Sequence, residues 1–431
     1  MTPRVVRPDG RGFLLFDAHP AGCARSVDDL AAEAGPPAPP PARRPVALII
    51  GSSAGYGLAA AVAGIVRHGI DGVAVCFEKP PTARRTGGAG WYRTRRLAEL
   101  AAAHGSRLEF VNADCFLDST RAQVLALLAE RFGPVDHLIH SVAAPRRPDP
   151  ATGRTLTSVI KPLGAPYRAL TLAFGEEGAP LLADAQIAPA TEAERQATVQ
   201  VMGGRDWEDW VGALAGRNLL GPRFRTVALS YVGPEATAPI YRRGTIGAAK
   251  DDLEATARRL TGALPASRGG GAWTSVNGVA VTPASMAIPG IALYAALLRR
   301  VLGDGVDGVQ SPLRQMVRLW DLLAADAEPP TDALGRIRLD DWELRPEVQR
   351  EVAGAWDRVS AALDAGGPAP AGGPAPWLDA HADTAWLRRE LLRLYGFGLP
   401  GVDYDAPVES DLPWPGPSVP ATALPPVPAA T

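Results

Sequence analysis

The stretch IIGSSAGYGLA, residues 49–59, joins an apolar run to a turn of small residues and then to a helix-forming segment. The run it ends, VALII at 46–50, has no polar face, as expected of a strand covered on both sides. Glycines at 51, 55 and 57 let backbone amides approach a bound pyrophosphate, whose charge the N-terminus of a helix starting at about Gly57 favours. The spacing is G-x-x-x-G-x-G rather than the more familiar G-x-G-x-x-G. Any tight strand-to-helix turn can use glycine for its geometry alone. The position on the first strand of an alternating pattern is what favours a cofactor turn.

That alternation continues along the chain. Apolar runs at 72–78, 107–114 and 135–144 are separated by helical patterns, and two more strand candidates follow at 226–233 and 275–283. Continuous apolar strands interleaved with helices predict an α/β fold: a Rossmann-type, doubly wound, mainly parallel sheet with helices on both faces and added N- and C-terminal segments. The expected organisation is one large domain over 1–405, with a core at about 45–300, a lid or substrate region at about 145–222 and a C-terminal packing segment at about 301–405. The lid region shows no clean strand. Residues 406–431 read as a Pro/Ala-rich tail without a role, and the Pro-rich stretches 35–45 and 365–376 read as loops.

Composition removes several function classes. Forty-four basic and 46 acidic residues, dispersed along the chain, give no electrostatic footprint for nucleic acid or an anionic membrane. No apolar run reaches membrane-spanning length. Three cysteines without metal spacing exclude a disulfide framework, so a reduced, cytoplasmic setting is expected.

The ends of the strands carry the candidate chemistry. Glu78 ends the second run, where an acid hydrogen-bonds adenosine ribose hydroxyls and repels a 2′-phosphate. Lys79, Arg84 and Arg85 stand nearby and leave a phosphate acceptor open. Asp114 is placed to accept from an adenine amino group, and Ser141 to Ala143 to lie beneath a nicotinamide ribose. IYRRGTIGAAK, 240–250, sets Tyr241 nine positions before Lys250. On one continuous helix the two would face opposite ways, so a working pair requires Tyr241 before the helix and Lys250 inside it. Gly244 breaks the segment and Thr245 is an acceptable N-cap.

With these residues placed, the chain resembles the trans-2-enoyl-CoA and enoyl-acyl-carrier-protein reductases of the FabV type, over about residues 11–408. The motifs include RGFLLFDAHPAGC, CFEKPPTARRTGGAGWY, KPLGAPY, VMGGRDWEDW, SYVGPEATAPIYRRGTIGAAKDDL, GRIRLDDWELRPEVQ and LYGFGLPGVDYDAPV. The resemblance implies reduction of the C2–C3 double bond of an enoyl thioester, on CoA or acyl carrier protein, by NADH and without flavin. It implies Tyr241 as donor to the developing enolate, Lys250 on the nicotinamide ribose, and Tyr231 as a substrate contact. Cofactor positions would be Gly51, Ser52, Ser53, Ala54, Gly55, Tyr56, Phe77, Glu78, Asp114, Cys115, Val142, Ala143, Lys250, Val281 and Thr282. A monomer is expected. The chain departs from the family at Ala238 (usually Trp), Pro283 (Gln), Met286 (Ser) and Ala248 (Lys), the first three near the expected acyl site.

Blander readings stand beside these. Tyr231 could simply pack its ring at a strand end, His19 reads as structural, Cys115 as a small filler, and the tryptophans of DWEDW and DDWELR as packing anchors. Two rival functions are a catalytically silent NADH-binding sensor and a ketoreductase of β-ketoacyl thioesters.

Overall fold

The computed structural model describes residues 3–11, 14–39, 43–149, 152–175, 178–264, 269–303, 308–365 and 375–416. Most of the 365–376 loop, part of the 35–45 loop and the tail beyond 416 lie outside the described residues.

Seven parallel strands form the central sheet: β1 (Val46–Ile50), β2 (Asp71–Cys76), β3 (Leu108–Asn112), β4 (Val135–His140), β5 (Leu220–Ser230), β6 (Gly271–Val276) and β7 (Arg336–Arg338). Their order is β7-β6-β5-β4-β1-β2-β3, which reverses direction between β1 and β4. That crevice is where a doubly wound sheet binds its ligand. The expected fold class is the observed one.

Every residue of β1 is buried, and its alternate side chains feed opposite cores. Ala47 and Ile49 join the core under α1 (Pro20–Glu33), α2 (Gly55–Ala63), α3 (Ala89–Ala103) and α9 (Pro312–Ala324). Val46, Leu48 and Ile50 join the core under α4 (Asp118–Arg131), α6 (Arg205–Gly216) and α7 (Thr245–Ala263). Trp207 and Trp210 of α6 are fully buried, as anchors should be, and the Trp207 indole donates to Thr226 on β5 at 2.7 Å. A third core gathers α8 (Ile291–Leu302), α10 (Pro346–Asp364) and α11 (Thr384–Arg393).

Three details differ from the sequence reading. The 145–222 excursion holds α5 (Glu192–Met202), α6 and two antiparallel hairpins, Arg146–Pro148 with Thr155–Thr157 and Tyr167–Phe174 with Pro180–Ile187. These strands alternate imperfectly, so they carry no clean period-two signal. The strand expected at 275–283 is Gly271–Val276 instead; the chain then leaves the sheet through Asn277 and Gly278 to form a loop over the crevice. Gly244, not Thr245, is the N-cap of α7. The Thr245 hydroxyl donates instead to the carbonyl of Val159 and accepts from Lys161 N–H, tying the excursion to the start of α7.

The tail reading also gives way in part. Val408 pairs with Arg4, Tyr92 donates to Ser410 O, Trp91 to Leu412 O and the buried Trp414 to Phe110 O. Residues 408–414 thus form a strap across α3 and β3. His19 is structural, as expected: its Nδ1 accepts from Gly22 N–H to cap α1, and its ring lies edge-on to Tyr404.

Candidate active site

A cavity of about 450 Å³ opens at the carboxyl ends of β1, β2, β4, β5 and β6. Its cofactor half begins at Gly51, whose φ of +87° and close approach to Ser141 O (2.0 Å from an added Cβ) admit glycine alone without strain. The turn delivers the chain into α2, whose N-cap Ala54 makes no side-chain cap bond. The first amides of α2 are therefore free for an anion. Ser53, Ala54, Gly55, Tyr56, Phe77, Asp114, Cys115, Val142 and Ala143 all line this half. Thr282, from the loop after β6, closes over Gly55, and the Tyr56 hydroxyl donates to Gly278 O in the same loop.

Ser52, Glu78 and Val281 do not line the cavity. Ser52 is fully buried and donates to Val75 O. The Glu78 carboxylate turns back to accept from Ser53 Oγ at 2.7 Å. It packs so closely on Gly90 that an added Cβ there would lie 2.0 Å from Oε1. Burial pushes its pKa up against the pull of that hydrogen bond and of the Arg93 charge. Among the nearby cations, Arg85 is drawn away to Asp17 at 3.1 Å and over the Phe16 ring.

The other half of the cavity is apolar, with Ile160, Met202, Ile246, Ile288 and Ile291 on its walls. Tyr241 and Lys250 both face the cavity. Tyr241 lies before α7 and Lys250 within it. The Tyr241 side chain has no hydrogen-bond partner among the described residues, and burial pushes its pKa up, so it stays a donor. Burial lowers Lys250 to about 8, offset by the charge of Glu254, and its ammonium reaches Leu229 O at 3.5 Å. The Tyr231 ring meets the Tyr241 ring edge-on at 5.3 Å. Its hydroxyl donates to Glu343 at 2.9 Å, a residue that does not line the cavity.

Two further polar groups of the wall escaped the sequence reading. Ser230 Oγ and Asn277 Nδ2 are buried without a partner although both residues line the cavity. Buried polar groups are normally satisfied, so these fit a polar ligand such as a nicotinamide riboside. Their only sequence signal was their place at strand ends.

The sheet order, the glycine turn at its switch point and this crevice are those of the nicotinamide-dinucleotide-binding α/β oxidoreductases. Three family models match the chain: "NAD(P)H binding domain of trans-2-enoyl-CoA reductase" over 5–83, "Trans-2-enoyl-CoA reductase catalytic region" over 85–323, and "Enoyl reductase FAD binding domain" over 331–363 and 377–408. An enoyl-[acyl-carrier-protein] reductase [NADH] of Streptomyces avermitilis is 53% identical over 410 residues, covering 95% of this chain and 100% of that one. One from Opitutus terrae is 39% identical, covering 95% and 99%. A Clostridium trans-2-enoyl-CoA reductase solved with NADH superposes with a TM-score of 0.85 at 31% identity, covering 94% and 98%. The chain belongs to the trans-2-enoyl-CoA reductase family.

The flavin in the third model's description does not fit the residues it matches. None of them lines the large cavity, and the inward faces of α10 and α11 are packed into the third core. The chemistry below rests on the nicotinamide cofactor alone.

Proposed function

We propose that this protein reduces the C2–C3 double bond of trans-2-enoyl thioesters, carried on CoA or acyl carrier protein, with NADH as reductant. The observation that carries the reading is the Tyr241 hydroxyl, unpartnered among the described residues, on the wall of an apolar cavity at the crevice that Lys250 also lines. Bound NADH supplies the hydride that reaches C3. Tyr241 donates a hydrogen bond or proton to the thioester oxygen as negative charge develops there. Lys250 holds the ribose hydroxyls, and its charge eases proton donation by Tyr241. Glu78 reaches the adenosine ribose after parting from Ser53, and its charge opposes a 2′-phosphate. The isoleucines and Met202 receive the acyl chain.

Purified protein mixed with NADH and crotonyl-CoA should lose NADH absorbance. Loss with acetoacetyl-CoA alone would make the protein a ketoreductase, and loss with neither would make it a binding protein. Repeating the assay with enoyl chains of increasing length on each carrier would define the physiological thioester.

A further inference from the structure

Glu343 sits between β7 and α10, fully buried. One carboxylate oxygen accepts from the hydroxyls of Tyr231 (2.9 Å) and Tyr294 (2.8 Å), and the other accepts from Val279 N–H. The Gln349 amide completes the cage, donating to Glu343 O at 2.8 Å and to the Tyr294 hydroxyl at 2.9 Å. A single carboxylate thus joins the end of β5, helix α8 and the loop after β6. Tyr231 and Val279 are both walls of the cavity.

Packing alone does not call for this group. A buried carboxylate is costly, and an apolar side chain of similar size would serve a core better. Among the described residues no Lys, Arg or His forms an ion pair with Glu343. Asp340, the acid whose charge acts on it, is itself held by Arg338 through two bonds of 2.7 Å.

We propose that Glu343 is a positioning residue for the reduction: by holding the Tyr231 hydroxyl and the Val279 amide, it sets the Tyr231 ring against Tyr241 and fixes the loop that closes over the cofactor. This rests on Tyr241 being the donor. The groups facing Glu343 are the Tyr231 and Tyr294 phenols, the Val279 amide and the Gln349 cage; the charge of Asp340 acts on it, and its own charge acts on the Tyr56 phenol. Burial raises its pKa to about 7, against the pull of the Val279, Tyr294 and Tyr231 hydrogen bonds. A protonated Glu343 would donate to Tyr231 rather than accept, releasing that hydroxyl from its present direction. Turnover should therefore change with the charge of Glu343.

Glu343→Gln tests this. The amide still accepts from Val279 N–H and can donate to the phenols, so the shape is kept while the polarity is frozen. On crotonyl-CoA, kcat should fall by about ten- to a hundredfold, the size of effect expected from a small misplacement of reacting groups. NADH affinity, read by fluorescence titration, should hold, and the wild-type inflection of kcat near the Glu343 pKa should disappear. Glu343→Asp should restore an inflection. Should Glu343→Gln not fold, Tyr231→Phe removes only the hydroxyl that Glu343 holds and should show the same kcat loss with NADH affinity intact. Wild-type kcat in the folded Gln variant (or in Tyr231→Phe), or an unchanged inflection in Gln, overturns the proposal. Wild-type turnover and its loss in Tyr241→Phe are measured first, so failure of the underlying reading shows separately.

Discussion

The two halves of the cavity are built from different materials. The proposed cofactor half rests largely on backbone within residues 46–143, the glycine turn after β1, the first amides of α2 and the small residues ending β4, with Thr282 closing over it from the loop after β6. The proposed substrate half is made of side chains brought from far apart: Ile160 and Met202 from the excursion, Tyr241 before α7, Ile288 from the loop before α8, with Glu343 behind Tyr231. A backbone site tolerates no added atom but asks little of its neighbours. A side-chain site depends on whatever holds each side chain in place.

Four substitutions probe that contrast, in descending order of expected effect. Gly51→Ala should nearly abolish NADH binding and destabilise the protein by about 3–5 kcal/mol, from positive-φ strain plus overpacking against Ser141 O. Near-normal NADH affinity would show that the turn yields, and the contrast would fail. Tyr241→Phe should leave NADH affinity intact while kcat falls by about two to three powers of ten, the usual cost of losing one oxyanion donor. Normal turnover would remove Tyr241 from the chemistry.

The third concerns stability. Glu343 has its folded pKa raised to about 7 from an ordinary value of 4.5. Between those values the unfolded chain gives up its proton while the folded chain keeps it, so stability falls as pH rises through this window and levels off above it. Glu343→Gln should lack that contribution, flattening the wild-type loss by up to about 3 kcal/mol. Urea unfolding at both ends of the window measures it, and parallel curves for the two proteins would show that Glu343 does not titrate there. The smallest effect is Glu78→Ala, expected to shift the NADPH-to-NADH ratio of kcat/KM by about tenfold toward NADPH, from relief of a like-charge contact. An unchanged ratio would assign cofactor choice elsewhere.

The same contrast explains what could be read from the sequence. The places of Gly51, Gly55 and Asp114 on the cavity wall are legible because a strand end, a turn and a helix start are local. That Tyr241 stands before α7 and Lys250 within it is legible from the break at Gly244. The direction of the Tyr231 hydroxyl was not, because it is fixed by a residue 112 positions away in a segment whose pattern spoke only of packing. Glu78 was legible as a strand-end acid, but its turn toward Ser53 and Gly90 depends on a close approach that no periodicity encodes. The hairpins of the excursion escaped for a similar reason: they are held by the third core and by the start of α7 more than by their own alternation.

The strap of residues 408–414 has a consequence in time rather than in space. Trp91, Tyr92 and Phe110 bond to partners 321, 318 and 304 residues later. During synthesis, the strands that form the glycine turn can pair long before those partners exist. Loop closure over such a span is slow, and until it is complete the indole of Trp91 has no cover from Trp414. A nascent chain would therefore assemble its dinucleotide crevice early and seal the outer face of α3 last. Trp91 fluorescence would lag the recovery of NADH binding in a refolding experiment.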